Sequence, residues 1–357
     1  MKKKGFAASL FGDKRNRTIS FLIVIIAYVV LEVLQKGGTL SSHMAGLLVP
    51  VCCYIVAAIG LNLNVGISGE LNLGQAGFMS VGGFTAVVVS TVMLEHTDNE
   101  IVILLVSIIA GAAMAGFLGW LISIPVLKLE GDYLAIVTLA FGQIIMSLIG
   151  NLYIGYDKAG LHFAFINNNM KLADDGYMII EGPMGATGVE RLSTFTAGFV
   201  LILIALLLAY NLIYSKTGRA IVACRDNRIA AETVGINVAH TKTVAFVLSS
   251  VLGGAAGALF LLNYSSTVAS QFDFNASIMI LVYVVLGGLG NITGTIIGTT
   301  VLYILPEVLR FLADYRMLIY AIILIVIMLV TNNEKVKTSI EKIRSRSSGK
   351  KGGAVNE

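Results

Sequence analysis

The sequence predicts an all-α fold: a polytopic transmembrane helical bundle of about ten spans, with glycine-broken helices and both termini cytoplasmic. Three observations carry that expectation. Charged residues make up 13% of the chain and apolar residues 56%, against roughly 25% and 45–50% in an ordinary soluble domain. The mean hydropathy is +0.85, and a soluble chain of 357 residues would need far more polar surface to cover its core. The basic residues, finally, gather on alternate connections.

A span needs about 20 residues at 1.5 Å rise to cross roughly 30 Å of hydrocarbon. Apolar runs fit this at about 19–34, 44–63, 78–94, 101–127, 133–150, 195–214, 243–262, 276–290, 294–312 and 317–331. The first, FLIVIIAYVVLEVL, is short and contains Glu32, but no small-residue cleavage pattern follows closely, so it reads as an uncleaved helix. With ten spans, the N-terminus, the 128–132 turn, the 215–242 segment and the C-terminal tail share one side, which holds 19 of the 25 Lys and Arg residues. Lys36, Lys158, Lys171, Arg191, Arg310 and Arg316 fall on the other. Positive residues stay inside, so the expected location is the cytoplasmic (inner) cell membrane. Residues 1–18 become a basic cytoplasmic N-terminus, 19–332 the membrane domain, and 333–357 a basic, disordered tail that holds topology and touches anionic lipid. The 151–194 connection becomes the longest external loop, either a solvated excursion or a docking surface. Cys52 and Cys53 behave as small hydrophobes, and Cys224 joins them in no metal or redox spacing.

Two segments interrupt the apolar pattern. GLNLNVGISGELNLGQAGF, 60–78, holds five glycines with Asn62, Asn64, Ser68, Glu70, Asn72 and Gln75. LGGLGNITGTIIG, 286–298, holds Gly287, Gly290, Asn291 and Thr293. Both open on G-x-x-G, at Gly66/Gly69 and Gly287/Gly290. Unpaired polar groups in hydrocarbon cost several kcal/mol each, so irregular backbone at that depth must be buried in protein or line a watery cavity. Paired glycine breaks suggest a translocation pathway; tight helix packing is the other reading.

Ionisable residues within the spans would mark ion coupling, and they are scarce: Glu32 lies in the first span and Glu70 in the broken segment. Asp132 and Asp273 fall in turns, and His43, His96, His162 and His240 fall at span ends or in loops. No phosphate-cradling G-x-x-x-x-G-K-[ST], no Ser-His-Asp arrangement and no H-E-x-x-H occurs. The chain reads as a non-catalytic subunit with no metal, no cofactor and no nucleic-acid partner of its own, driven from outside.

The one compact charged stretch is GRAIVACRDNRIAAETVGINVAHTK, 218–242, with Arg219, Arg225, Arg228 and Lys242. RDNRIAAETV favours a helix, with Arg228 and Glu232 as i,i+4 partners, Gly235 as its stop, and Ile229 and Val234 as a small apolar face. Such a helix suits docking into a partner's groove; the other reading is a connecting loop made basic by topology.

These residues resemble the permease subunits of branched-chain amino-acid ABC importers, of the LivM type. The matching stretches are GLNLNVGISGELNLGQAGFMSVGGFTA (60–86), LKLEGDYLAIVTLAFGQI (127–144), EGPMGATGV (181–189), SKTGRAIVACRDNRIAAETVGINVAHTKTVAFVLSSVLGGAAGALF (215–260) and FNASIMILVYVVLGGLGNITGTIIGTTVLYILPEVLR (274–310). The resemblance implies a LivH-type permease as partner, two cytoplasmic ATPases that carry ATP and Mg, and an extracytoplasmic binding protein. It implies that Ala230, Ala231 and Glu232, with Gly235, form the coupling loop seated on the ATPase. Glu70 stands where that family more often carries Gln, and the external loop is longer than the family pattern. The function implied is uptake of Leu, Ile and Val by alternating access, with a urea or short-chain amide importer, or a stand-alone secondary carrier, as alternatives.

Overall fold

The computed structural model describes residues 14–38, 41–129, 131–157, 160–166, 176–310 and 315–332. The expected cytoplasmic N-terminus, apart from its last residues, and the tail after 332 lie outside the described residues, as do Lys158, Lys171 and the middle of the external loop.

Helices occupy every expected span: α1 (Lys14–Lys36), α2 (Ser42–Asn62), α3 (Gln75–Leu94), α4 (Glu100–Val126), α5 (Asp132–Gly150), α6 (Phe195–Tyr214), α9 (Val238–Leu261), α10 (Phe274–Gly287), α11 (Ile292–Val308) and α12 (Arg316–Asn332). Two shorter helices, α7 (Lys216–Asp226) and α8 (Arg228–Thr233), fill the charged stretch. Among the described residues seven helices are long and apolar enough to cross a membrane, namely α1 to α6 and α9, while α10 and α11 are apolar but shorter. The polar residue before a helix does the capping. Ser41, Asn99, Thr194, Ser215, Asn237 and Asp273 each accept a bond from a backbone N–H in the first turn that follows. That is the role of Asp273.

The described residues up to Thr300 form one compact unit, and those from Val301 on a second that contains the end of α11 and α12. Within the first, α9 is the hub and packs against α2, α3 and α4. Glycines let these backbones touch: a Cβ on Gly82 would lie 2.2 Å from the Gly254 carbonyl oxygen, and one on Gly111 would lie 2.3 Å from that of Gly82. Without a hydrophobic drive between helices in lipid, such close approach is what holds a bundle together. In the central apolar window of α9, 78% of residues are buried, against 11% in α1, whose Leu22, Ile26, Val29 and Val33 face outward. Ser20 pins α1 to the bundle through Tyr210 of α6 and Thr293 of α11.

The all-α expectation needs correction at the long connection after α5. A five-stranded antiparallel sheet stands there, ordered β2-β1-β3-β4-β5, with β1 Leu152–Asp157, β2 Gly160–Phe165, β3 Tyr177–Glu181, β4 Ala186–Thr187 and β5 Ser266–Thr267. Leu152 pairs with Phe165 and Asp157 with Gly160, while β5 arrives from the α9–α10 connection to pair Thr267 with Ala186. Alternating side chains in GLHFAF, with Leu161, Phe163 and Phe165 on the outward face, make β2 a strand.

Candidate functional site

The charged stretch folds as two helices set on a small apolar base. Asn227 ends α7 and opens α8, its side-chain oxygen accepting from Ala230 N at 3.0 Å. Gly235, at φ +85°, closes α8: Gly235 N donates to Glu232 O at 3.0 Å and Ile236 N to Ala231 O at 3.1 Å. This pair of bonds is the Schellman stop, for which glycine is preferred because it adopts a left-handed φ freely. Cys224, Ala231 and Val238 are buried together with Ile236 packed on them, and burial pushes the Cys224 thiol up. The opposite face is open: Ile229 is 75% and Val234 79% exposed, beside Ala230, Gly235 and the Arg228–Glu232 pair at 3.2 Å. Arg219 donates to Tyr214 O at 3.3 Å and also lies exposed.

Below this base lies the first glycine-broken segment. After α2 the chain continues into a buried π-helical turn, Leu63–Ser68, which ends at Gly69 with φ +76°. The backbone that leaves helical order finds partners elsewhere. Leu73 N donates to Thr138 Oγ1 at 3.0 Å, Gly74 N to Asn72 Oδ1 at 2.9 Å, and Ala76 N to Ser277 Oγ at 3.1 Å. Gln75 clasps α2 and α9 by donating to Ala57 O and Ser249 O while accepting from Ser249 Oγ. The Asn64 side chain is buried, with no hydrogen-bond partner among the described residues at either polar atom.

The charged helices and this segment, expected as separate sites, are in contact. Arg225 of α7 donates to Gly66 O at 2.7 Å, and a Cβ on Gly69 would lie 2.5 Å from Arg225 Cγ. Lys242, in the first turns of α9, pairs with Glu70; the two side chains are 12% and 11% exposed. A polar cavity of about 280 Å³ sits at this junction, lined by Ser68, Glu70, Gly131, Cys224, Arg225 and Lys242 among others. Lys242 is a member that spacing gives no means of finding as the partner of Glu70, because 172 residues separate the two.

The second glycine-broken segment meets the first. Gly290 N donates to Asn62 Oδ1 at 2.8 Å, and Asn62 Nδ2 donates to Thr295 Oγ1 at 2.7 Å. Gly287 serves the close crossing of α10 and α11, since a Cβ there would lie 2.5 Å from Thr295 Cα. Asn291 accepts from Gly294 N at 3.2 Å and so supports the start of α11. Glu32, the other carboxylate expected within a span, pairs with Lys36 at 3.0 Å along α1.

The profile of the family described as the permease component of branched-chain amino acid transport systems matches residues 43–330. The chain is 29% identical to the LivM permease protein of the high-affinity branched-chain amino acid transport system of Salmonella typhimurium, over 77% of this chain and 66% of the relative. It is 30% identical to that of Escherichia coli over the same shares. It is 28% identical to a probable branched-chain amino acid transport permease protein LivH of Methanocaldococcus jannaschii, over 68% of this chain and 73% of the relative. The aligned part thus spans slightly less than two thirds of the two LivM relatives. No solved structure matches the chain.

Proposed function

The chain belongs to the family of permease components of branched-chain amino acid transport systems, and from that premise we propose that it is one permease subunit of an ABC importer for leucine, isoleucine and valine. The ten helical segments outside the charged stretch are read as ten spans of the inner membrane, with both termini cytoplasmic. Two convergences support that reading. Ser68 to Leu71, Gly131, Cys224 to Arg228 and Lys242 line one cavity, as elements on a common face would. The 152–187 strands and β5 share one sheet, as elements on the opposite face would. The partners are a LivH-type permease, two cytoplasmic ATPases holding ATP and Mg, and a soluble binding protein outside.

The observation that carries the reading is α8. A six-residue helix stopped by Gly235 presents Ile229 and Val234 to solvent. Exposing two large apolar side chains costs about 1.5–3 kcal/mol each relative to burying them, and a groove on an ATPase would recover it. Closure of the ATPases on ATP pushes α8, and the spans rearrange around a central pathway. A motor shifts such an equilibrium only through its differential affinity for the two states. Asn64, with its buried amide unpartnered among the described residues, is the pathway candidate best suited to gain a partner in the other state, and Asn62, Asn72 and Gln75 hold the frame around it.

Gly235→Val tests the assignment, because a β-branched residue at positive φ is strained. In the reconstituted importer the variant loses uptake and receptor-stimulated ATP hydrolysis while the binding protein still docks. Normal uptake would overturn the docking role of α8.

A further inference from the structure

A contiguous set of contacts runs from the exposed face of α8 to the turn between α10 and α11. Cys224, Ala231, Ile236 and Val238 fasten α8 to α7 and to the start of α9. Arg225 of α7 reaches Gly66 O at 2.7 Å across 159 residues of sequence. Gly66 abuts the second break so closely that a Cβ on it would lie 2.3 Å from Gly290 N. Asn62 closes the contact by accepting from Gly290 N and donating to Thr295. Beside this path, Lys242 and Glu70 tie the first turns of α9 to the stretch just after the π-helical turn.

We infer that Arg225 and the Glu70–Lys242 pair are positioning residues that transmit motion of α8 into the two glycine breaks, and that Glu70 acts in this linkage rather than on the transported solute. The inference rests on the docking role of α8 proposed above. Chemistry favours these groups for the task. An Arg bonded to a carbonyl, and an ion pair nearly closed to water, are directional and lose much if pulled apart, because each charge left alone is poorly solvated. Apolar contacts slide at little cost. A linkage that must pull as well as push therefore needs the charged kind. Glycine at 69 leaves room for the Arg225 stem, which any side chain there would displace.

The test uses the complete importer in liposomes, with its partner permease, ATPases and binding protein. Arg225→Met and Lys242→Met raise the ATP hydrolysed per solute taken up at least tenfold, while the ATPases still co-purify. Glu70→Lys loses uptake at least tenfold, and adding Lys242→Glu restores it to within threefold. A ratio within twofold of the unmodified complex overturns the inference. So does a parallel fall of uptake and hydrolysis at constant ratio without rescue by the exchanged pair, which marks a merely structural role. Ile229→Cys, cross-linked to cysteines on the ATPase, separates the two readings. A cross-link with an unchanged ratio removes the linkage and leaves the docking role standing. No cross-link removes the docking role and this inference with it.

Discussion

The two glycine-broken segments have similar composition and differ in burial. Through Leu63–Ser68 the first is buried at every residue, and three of its polar side chains find partners far away in sequence: Asn62 at Gly290 and Thr295, Gln75 at Ser249, Glu70 at Lys242, while Asn72 bonds Gly74 close by. The second is half open, with Leu289 and Asn291 exposed; the Asn291 side chain bonds locally to Gly294 N, while Thr293 and Thr295 meet Ser20 of α1 and Asn62 of α2. Glycine and asparagine in a membrane segment thus describe two different objects. One is a buried junction; the other is a half-open hairpin turn that the buried one and α1 reach. Burial, not the glycine content, tells them apart.

Substitutions can break or sharpen that contrast. The largest effect is expected for Gly66→Ala, whose Cβ would lie 1.9 Å from Asn62 Oδ1 and 2.3 Å from Gly290 N. Overpacking usually costs about 1–3 kcal/mol and occasionally more, and here the obstacle includes backbone. Gly288→Ala meets only Asn291 Cβ at 3.7 Å, so its cost is the backbone strain of φ +99° with ψ 118°, about 1–3 kcal/mol. Thermal unfolding in detergent should rank the first well below the second, and equal melting points would erase the distinction. Asn62→Ala comes next, because it strands the half-buried Gly290 N–H, at about 1–3 kcal/mol. Hydrogen exchange at Gly290 should accelerate in that variant, and unchanged protection would mean the bond holds nothing. Asn291→Ala is the smallest: it removes one exposed side-chain bond at a helix start, on the order of 1 kcal/mol. A melting point as low as that of Asn62→Ala would show that Asn291 holds more than the start of α11.

Much of the bundle was legible because long apolar runs have one stable form in lipid, and each expected span is a helix. The stop at Gly235 was legible too, since a glycine after RIAAET has a local mechanism. The sheet was overlooked although its signal was present: LYIGYD, GLHFAF and YMII alternate or carry β-branched and aromatic residues, and turn residues flank them. The meeting of α7 with the first break had no signal at all. Nothing local in Arg225 points to Gly66, and a π-helical turn has no residue pattern of its own. Glu70 drew attention as a charge in an apolar setting, which was sound. Its partner was hidden because ion pairs across distant helices are set by packing, which spacing does not encode.

The fastening of α9 at both ends has a consequence of its own. Lys242 anchors its first turns, while at the far end Leu262 O accepts from Leu192 N and Ser193 N, and the chain beyond enters the sheet as β5. A rod clamped at top and bottom slides poorly along its length, so a thrust at one end is answered by tilt or rotation about that rod. On the proposed docking role of α8, helix α9 serves as the axle for the helices packed on it, with the sheet holding its far end.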